Sequence, residues 1–196
     1  MLIRCPHRDT LQVQPGEGRE VLLRISDFGR SSDQFGDDEH ETEPMTPQED
    51  VFDSPKGWVA QHIRRYVETD GRTGHRWSGV HTLLLTTRGR RSGKLRRTAL
   101  IYGRDGDRYL VVASSGGAKR HPSWYLNLDE NPEVEVQVGA DKFTARALTA
   151  TAEQKPRLWR LMASIWPDYD GYQARTVRDI PVVVLERLNR PEPPGL

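Results

Sequence analysis

YGRDGDRYLVVAS, residues 102–114, sets two apolar runs on either side of Asp105-Gly106. Asp-Gly between β-prone runs is a strong signal for a tight hairpin. Working outward, TALIY (98–102) and HTLLLTT (81–87) lie upstream and have the same β-prone, apolar character. Downstream, VEVQV alternates, with Val134, Val136 and Val138 on one face and Glu135 and Gln137 on the other. KFTARAL alternates again after a Gly139-Ala140-Asp141 turn, and PVVVLERL closes the series near the C-terminus. Six short strands with short connections predict a mainly β (α+β) chain built on an antiparallel barrel or sandwich.

Three segments read as helices. The first follows Ser54 and Pro55, a candidate N-cap and first helical residue, and carries Trp58, Val59, His62, Ile63 and Tyr66 at helical spacing before Gly71 stops it. HPSWYLNLDEN places Trp124, Tyr125 and Leu128 at helical spacing and ends before Asn131-Pro132. TAEQKPRLWRLMASIW opens with the capping-box pair Thr151 and Gln154, and its apolar stripe is Leu158, Leu161, Met162 and Ile165. Pro156 belongs near the start of this helix, where no N–H is lost.

Residues 1–44 are polar and glycine-bearing, with the acidic cluster DDEHETE at 37–43. Such a composition buries too little apolar surface to offset ordering entropy, so it predicts a disordered or loosely attached extension. Met45 reads as a natural start, which leaves 45–190 as one domain and 191–196 as a tail. The sole cysteine, Cys5, has no partner in the chain for a disulfide, in keeping with a cytoplasmic protein. The chain has no apolar run near twenty residues, so no transmembrane segment is expected. Its N-terminus does not read as a secretory signal. The six histidines are scattered without HExxH, and CxxC is absent, so no metal site is expected. GxGxxG, the P-loop and GxSxG are also absent, which argues against dinucleotide, P-loop and α/β-hydrolase chemistry.

The formal net charge is only +1, yet RGRRSGKLRR (88–97) holds six cations in ten residues. A nucleic-acid surface would spread its charge more widely, so a local anionic ligand is the reading. Gly89 and Gly93 permit a tight turn. Arg90, Arg91, Lys94 and Arg97, with the Ser92 hydroxyl, suit a phosphate or carboxylate. SSGGAKRHPSWY (114–125) joins a strand to a helix. Ser114, Ser115, Gly116 and Gly117 let a ligand approach the backbone closely, and Trp124 could border a planar ring or fill the core. In WPDYDGYQARTVRDIP, Trp166, Tyr169 and Tyr172 are three apart and would share one side of a helix, as a packing patch or as a cap over a flat ligand.

These pieces, in the order RGRRSGKLRRTALIY, VVASSGGAKRHPSWYLNL and DYDGYQARTVRDIPVVVLER, closely resemble the deazaflavin-dependent nitroreductase family, also called F420H2-dependent quinone reductases. The resemblance spans about 51–188. It implies a split β-barrel that binds coenzyme F420, an 8-hydroxy-5-deazaflavin with a phosphate and a polyglutamate tail. It places Arg90, Arg91, Ser92, Lys94 and Arg97 against phosphate and tail, and Thr98 and Leu100 along the cofactor groove. Ser114, Ser115, Gly116 and Gly117 fall near the ring, and Pro122, Trp124 and Tyr125 continue the pocket. Tyr169 and Tyr172 face the acceptor, and one of them, or water, gives the proton that follows the hydride.

The implied activity is hydride transfer from F420H2 to a quinone, nitroaromatic or similar electrophile. The alternatives are an FMN-binding split-barrel oxidoreductase and a non-catalytic deazaflavin carrier. The expected partner is a small-molecule acceptor rather than nucleic acid, in the cytoplasm, with any contact at the inner face of the plasma membrane being peripheral.

Overall fold

The computed structural model describes residues 49–55 and 57–188. The expectations for 1–44, for Met45 as the start and for the 191–196 tail lie outside the described residues. The strands are β1 (Val51–Asp53), β2 (Arg76–Trp77), β3 (Val80–Arg88), β4 (Leu95–Asp105), β5 (Arg108–Val112), β6 (Glu133–Val138), β7 (Asp141–Thr149) and β8 (Val182–Arg187). The helices are α1 (Gly57–Glu68), α2 (Ser123–Leu128), α3 (Lys155–Ile165) and α4 (Asp168–Ala174).

Six strands close a ring in the order β3-β4-β5-β8-β7-β6 and back to β3, every pair antiparallel. These are the six strands expected from the sequence. Two short ones are added to them. β1 runs parallel to the start of β4, and β2 pairs with β3.

The 102–114 stretch forms the hairpin its sequence predicts, with the turn one residue later than an Asp105-Gly106 loop would be. Asp105 pairs with Arg108, leaving Gly106-Asp107 as the two-residue loop, with Gly106 at a φ of 63°. The Asp105 carboxylate then receives Arg157 of α3 through two bonds of 2.7 and 2.8 Å, and Arg108 at 2.5 Å. The hairpin tip is thereby tied to the helix beside it.

The runs YLVV and PVVVL are apolar on both faces because both faces are covered. Inside the ring, Leu83, Leu85, Val111, Val136, Phe143, Ala145, Val183 and Leu185 pack together. Outside it, Leu110, Val112, Val182 and Val184 meet Leu158 and Met162 of α3 and Tyr169 of α4. Gly103 lets α3 lie close, since a Cβ there would stand 2.7 Å from the Met162 sulfur.

Helix α1 begins at Gly57, later than the Ser54-Pro55 signal predicts. The Ser54 backbone N–H is used across the sheet, donating to the Arg97 carbonyl at 2.9 Å. The capping box forms, with Thr151 and Gln154 exchanging bonds of 3.2 and 3.3 Å just ahead of α3, and Pro156 sits in the first turn.

The ring has a slit. β4 pairs with β1 over 95–97 and with β5 over 102–105. Between them, residues 98–101 are paired with β3 alone. That open edge is where the cavity lies.

Candidate active site

A cavity of about 960 Å³ runs along the open edge, with Thr98, Ala99, Leu100 and Ile101 of β4 as its floor. At one end stand the 89–92 turn and the guanidinium groups of Arg90, Arg91, Arg96 and Arg97, and Arg120 lines the cavity as well. Among the described residues that line the cavity, Asp53 is the only carboxylate. At the other end stand Trp58, Trp77, Trp166, Tyr169 and Tyr172. One groove thus carries a cluster of cations and a cluster of aromatic rings, with Phe52 set among the cations.

The basic run assigns its cations to different tasks. Arg88 is spent on structure, with two bonds of 2.8 Å to Glu49 and one of 2.7 Å to the Gly93 carbonyl. Arg88 also holds the Glu49 carboxyl below its usual range. A Cβ on Gly89 would stand 3.2 Å from the Lys94 carbonyl oxygen, a tight fit in the turn, and Gly93 adopts a φ of 67°. Lys94 and Arg96 both lie over the Phe52 ring, 4.9 and 5.2 Å from its centre. Arg97 donates to Asp53 at 2.7 Å, linking β4 to β1. Arg90 is held at its backbone and its guanidinium by the Asn127 carbonyl oxygen, at 3.2 and 3.3 Å. The buried Asn127 amide donates in turn to Thr87 at 3.0 Å. Arg91 makes no hydrogen bond or ion pair among the described residues and faces the cavity free.

The small-residue loop is a left-handed turn. Ser115, Gly116 and Gly117 have φ of 48°, 64° and 80°. A non-glycine residue in this region is strained, on the order of 1 kcal/mol. Arginines hold the turn through its carbonyls. Arg178 bonds to Ser114, Ala118 and Ala113 at 2.6, 2.8 and 3.2 Å, and Arg175 to Gly116 at 3.3 Å. Ser114, Ser115 and Gly116 line the cavity, while Gly117 is buried behind them. A Cβ on Gly117 would meet the Tyr172 carbonyl oxygen at 2.7 Å, so this glycine sets how closely α4 approaches the loop.

Of the predicted residues, Arg90, Arg91, Ser92, Arg97, Thr98, Leu100, Ser114, Ser115, Gly116, Pro122, Trp124, Tyr169 and Tyr172 share the cavity. Lys94, Gly117 and Tyr125 lie outside its lining. The Tyr125 hydroxyl bonds to Thr149 of β7 at 3.1 Å.

Tyr169 is 5% exposed, and burial together with Tyr172 pushes its phenol well above the ordinary tyrosine value. The Tyr172 oxygen accepts the Trp166 indole N–H at a long 3.4 Å. Trp77 joins the aromatic end to α1, with its ring 5.7 Å from both Trp58 and Trp166.

Sequence reasoning missed Asp53, Trp58, His62, Trp77, His121, Asn127 and Arg178 as site residues. Asn127 carried a signal, since it falls three residues after Trp124 and so on the same helix face. His121 adjoins the predicted Pro122, and the others come together only through the fold of the sheet.

Residues 58–187 match the family described as F420H(2)-dependent quinone reductase. An F420H(2)-dependent quinone reductase of Mycobacterium tuberculosis is 46% identical over 130 residues, covering 64% of this chain and 87% of that protein. A solved structure described as an F420-H2 dependent reductase is 39% identical with a TM-score of 0.50, over 54% of this chain and 93% of that one. Another, described as a domain-swapped dimer, is 36% identical with a TM-score of 0.53, over 68% and 100% of the two chains.

Proposed function

The chain belongs to the F420H(2)-dependent quinone reductase family, and on that premise we propose that it reduces a quinone with F420H2. The observation that carries this reading is one groove with a cationic end and an aromatic end. The residues present fit the coenzyme. The excess of guanidinium over carboxylate in the described lining, with Arg91 unpaired among the described residues, matches a phosphate and a polyglutamate tail better than the single phosphate of FMN.

Bound F420H2 supplies the two-electron hydride chemistry, and the protein supplies position and electrostatics. Arg90, Arg91, Ser92 and Arg97 take the anionic groups. Asn127 keeps Arg90 from swinging into solvent. Thr98 and Leu100 form the floor, and the 114–117 turn allows close backbone approach. Trp58, Trp77 and Trp166 exclude water from the acceptor end and offer flat apolar faces to a quinone ring.

The acceptor oxygen must take a proton after the hydride arrives. Tyr172 is the donor in this reading, because the Trp166 indole N–H faces the oxygen that turns anionic as the proton leaves. Tyr169, buried and with its proton held firmly, shapes the site beside it.

Among the described residues no helix is long and apolar enough to cross a membrane. The reading puts the enzyme in the cytoplasm, touching membrane-borne quinone peripherally through Trp58 at the rim, 62% exposed.

The test follows F420H2 oxidation by its absorbance, with a soluble quinone and with a nitroaromatic of similar size. Oxidation that depends on the quinone is expected. Tight F420 binding without oxidation by either acceptor would support the carrier alternative instead.

A further inference from the structure

His121 stands at the head of α2 and lines the cavity between the 114–118 turn and Trp124. Its Nδ1 lies 3.1 Å from an Nη of Arg178. A guanidinium carries donors only, so Nδ1 must be the acceptor and bear no proton. The proton of the neutral ring is therefore on Nε2, since the bond made by one nitrogen fixes the state of the other. Nε2 finds no partner among the described residues. Yet no buried side-chain nitrogen or oxygen among them is left unpartnered. Nε2–H is therefore not sealed in the protein, and His121 lines the groove. The ring cannot turn easily, because Tyr125 packs 5.0 Å from it and is tied to Thr149. Arg178 is fixed as well, by the three carbonyls of the small-residue turn.

We propose that His121 presents Nε2–H as a fixed, uncharged hydrogen-bond donor to an oxygen on the polar edge of the deazaflavin ring, with Arg178 as the positioning residue that locks its tautomer. The identity of the ligand rests on the F420 reading above. The donor itself follows from the Arg178 contact alone. A second proton on Nδ1 would set N–H against N–H, so the ring stays neutral. Burial and Arg178 both lower its affinity for that proton, and the opposing pull of Asp129 and Asp179 is weaker. The donor is thus unaltered across neutral pH, which suits an oxygen that becomes more electron-rich or less so as the ring changes redox state.

Two variants separate ligand contact from structure. His121→Asn keeps an acceptor near the Nδ1 position for Arg178 and removes the distal N–H. His121→Gln restores an amide N–H near the Nε2 position. Fluorescence titration with F420 is expected to show His121→Asn binding about five- to tenfold more weakly, the loss of one hydrogen bond, and His121→Gln losing less. Equal losses in the two variants, or no loss in His121→Asn, overturn the ligand contact. Nitrogen-15 NMR of the ligand-free protein tests the lock without the coenzyme. Nε2 is expected to be protonated and Nδ1 bare from pH 7 to 8. A ring that titrates in that range, or carries its proton on Nδ1, overturns the lock even if the variants cannot be purified. Failure of the unaltered protein to bind F420 overturns the cofactor reading and the ring contact with it, while the tautomer result stands separately.

Discussion

Six cations in a row do not make six ligand contacts. Arg88 is closed onto Glu49, Lys94 and Arg96 share Phe52, and Arg97 reaches the groove already paired with Asp53. Asp53 is therefore a brake on anion binding. It holds Arg97 in place, but any phosphate or carboxylate at that end must share the guanidinium with it. Asp53→Asn removes the charge and keeps an acceptor for the Arg97 Nε–H. It is expected to tighten F420 binding about two- to fivefold at low salt, the scale of a partly exposed ion pair. Fluorescence titration measures it, and weaker binding in this variant would show that Asp53 serves to position Arg97 rather than to compete. At the other end, Tyr172→Phe removes the proposed proton and keeps the ring. Quinone turnover is expected to fall by about tenfold or more while the F420 dissociation constant is unchanged. An unaltered rate assigns the proton to water or Tyr169.

The elements that could be read from the sequence are those that local chemistry specifies. The Asp105-Gly106 hairpin, the alternation of Val134 and Val136 against Glu135, and the Thr151–Gln154 box each depend on residues a few positions apart. β1 and β2 were missed because three and two residues are too short to show a period, and β1 owes its pairing to β4, more than forty residues on, while β2 is a two-residue hairpin arm against β3. The start of α1 was misplaced for the same reason, since the Ser54 N–H goes to Arg97 across the sheet. The loops of the site were legible as compositions, glycine with arginine and serine with glycine. Their anchors were not. Arg178 lies about sixty residues beyond the turn it holds, and Asn127 thirty-seven beyond Arg90. Nothing in the local sequence announces such contacts, because the spacing that matters is set by how the ring closes. Family resemblance supplied the order of the motifs, and the structure supplied the partners of each one.

For the body as a whole, the histidines set the response to acid. Burial lowers the pKa of His62, burial and His81 lower that of His75, and burial and Arg178 lower that of His121. A lowered histidine value means that the folded state prefers the neutral ring. The unfolded chain takes up protons first as pH falls through about 6.5, so the stability these groups contribute is present above that pH and is lost below it. Tm is expected to fall by a few degrees between pH 7.5 and 5. A Tm that is flat or rises over this range contradicts the burial assigned to these rings. Throughout, the cationic end of the groove is assigned to the acidic tail of F420. Calorimetric titration of F420 and of FMN under the same buffer and salt addresses that directly. F420 is expected to bind more tightly than FMN, with an affinity that drops as salt rises. Equal or tighter binding of FMN, or F420 binding that is indifferent to salt, would contradict it.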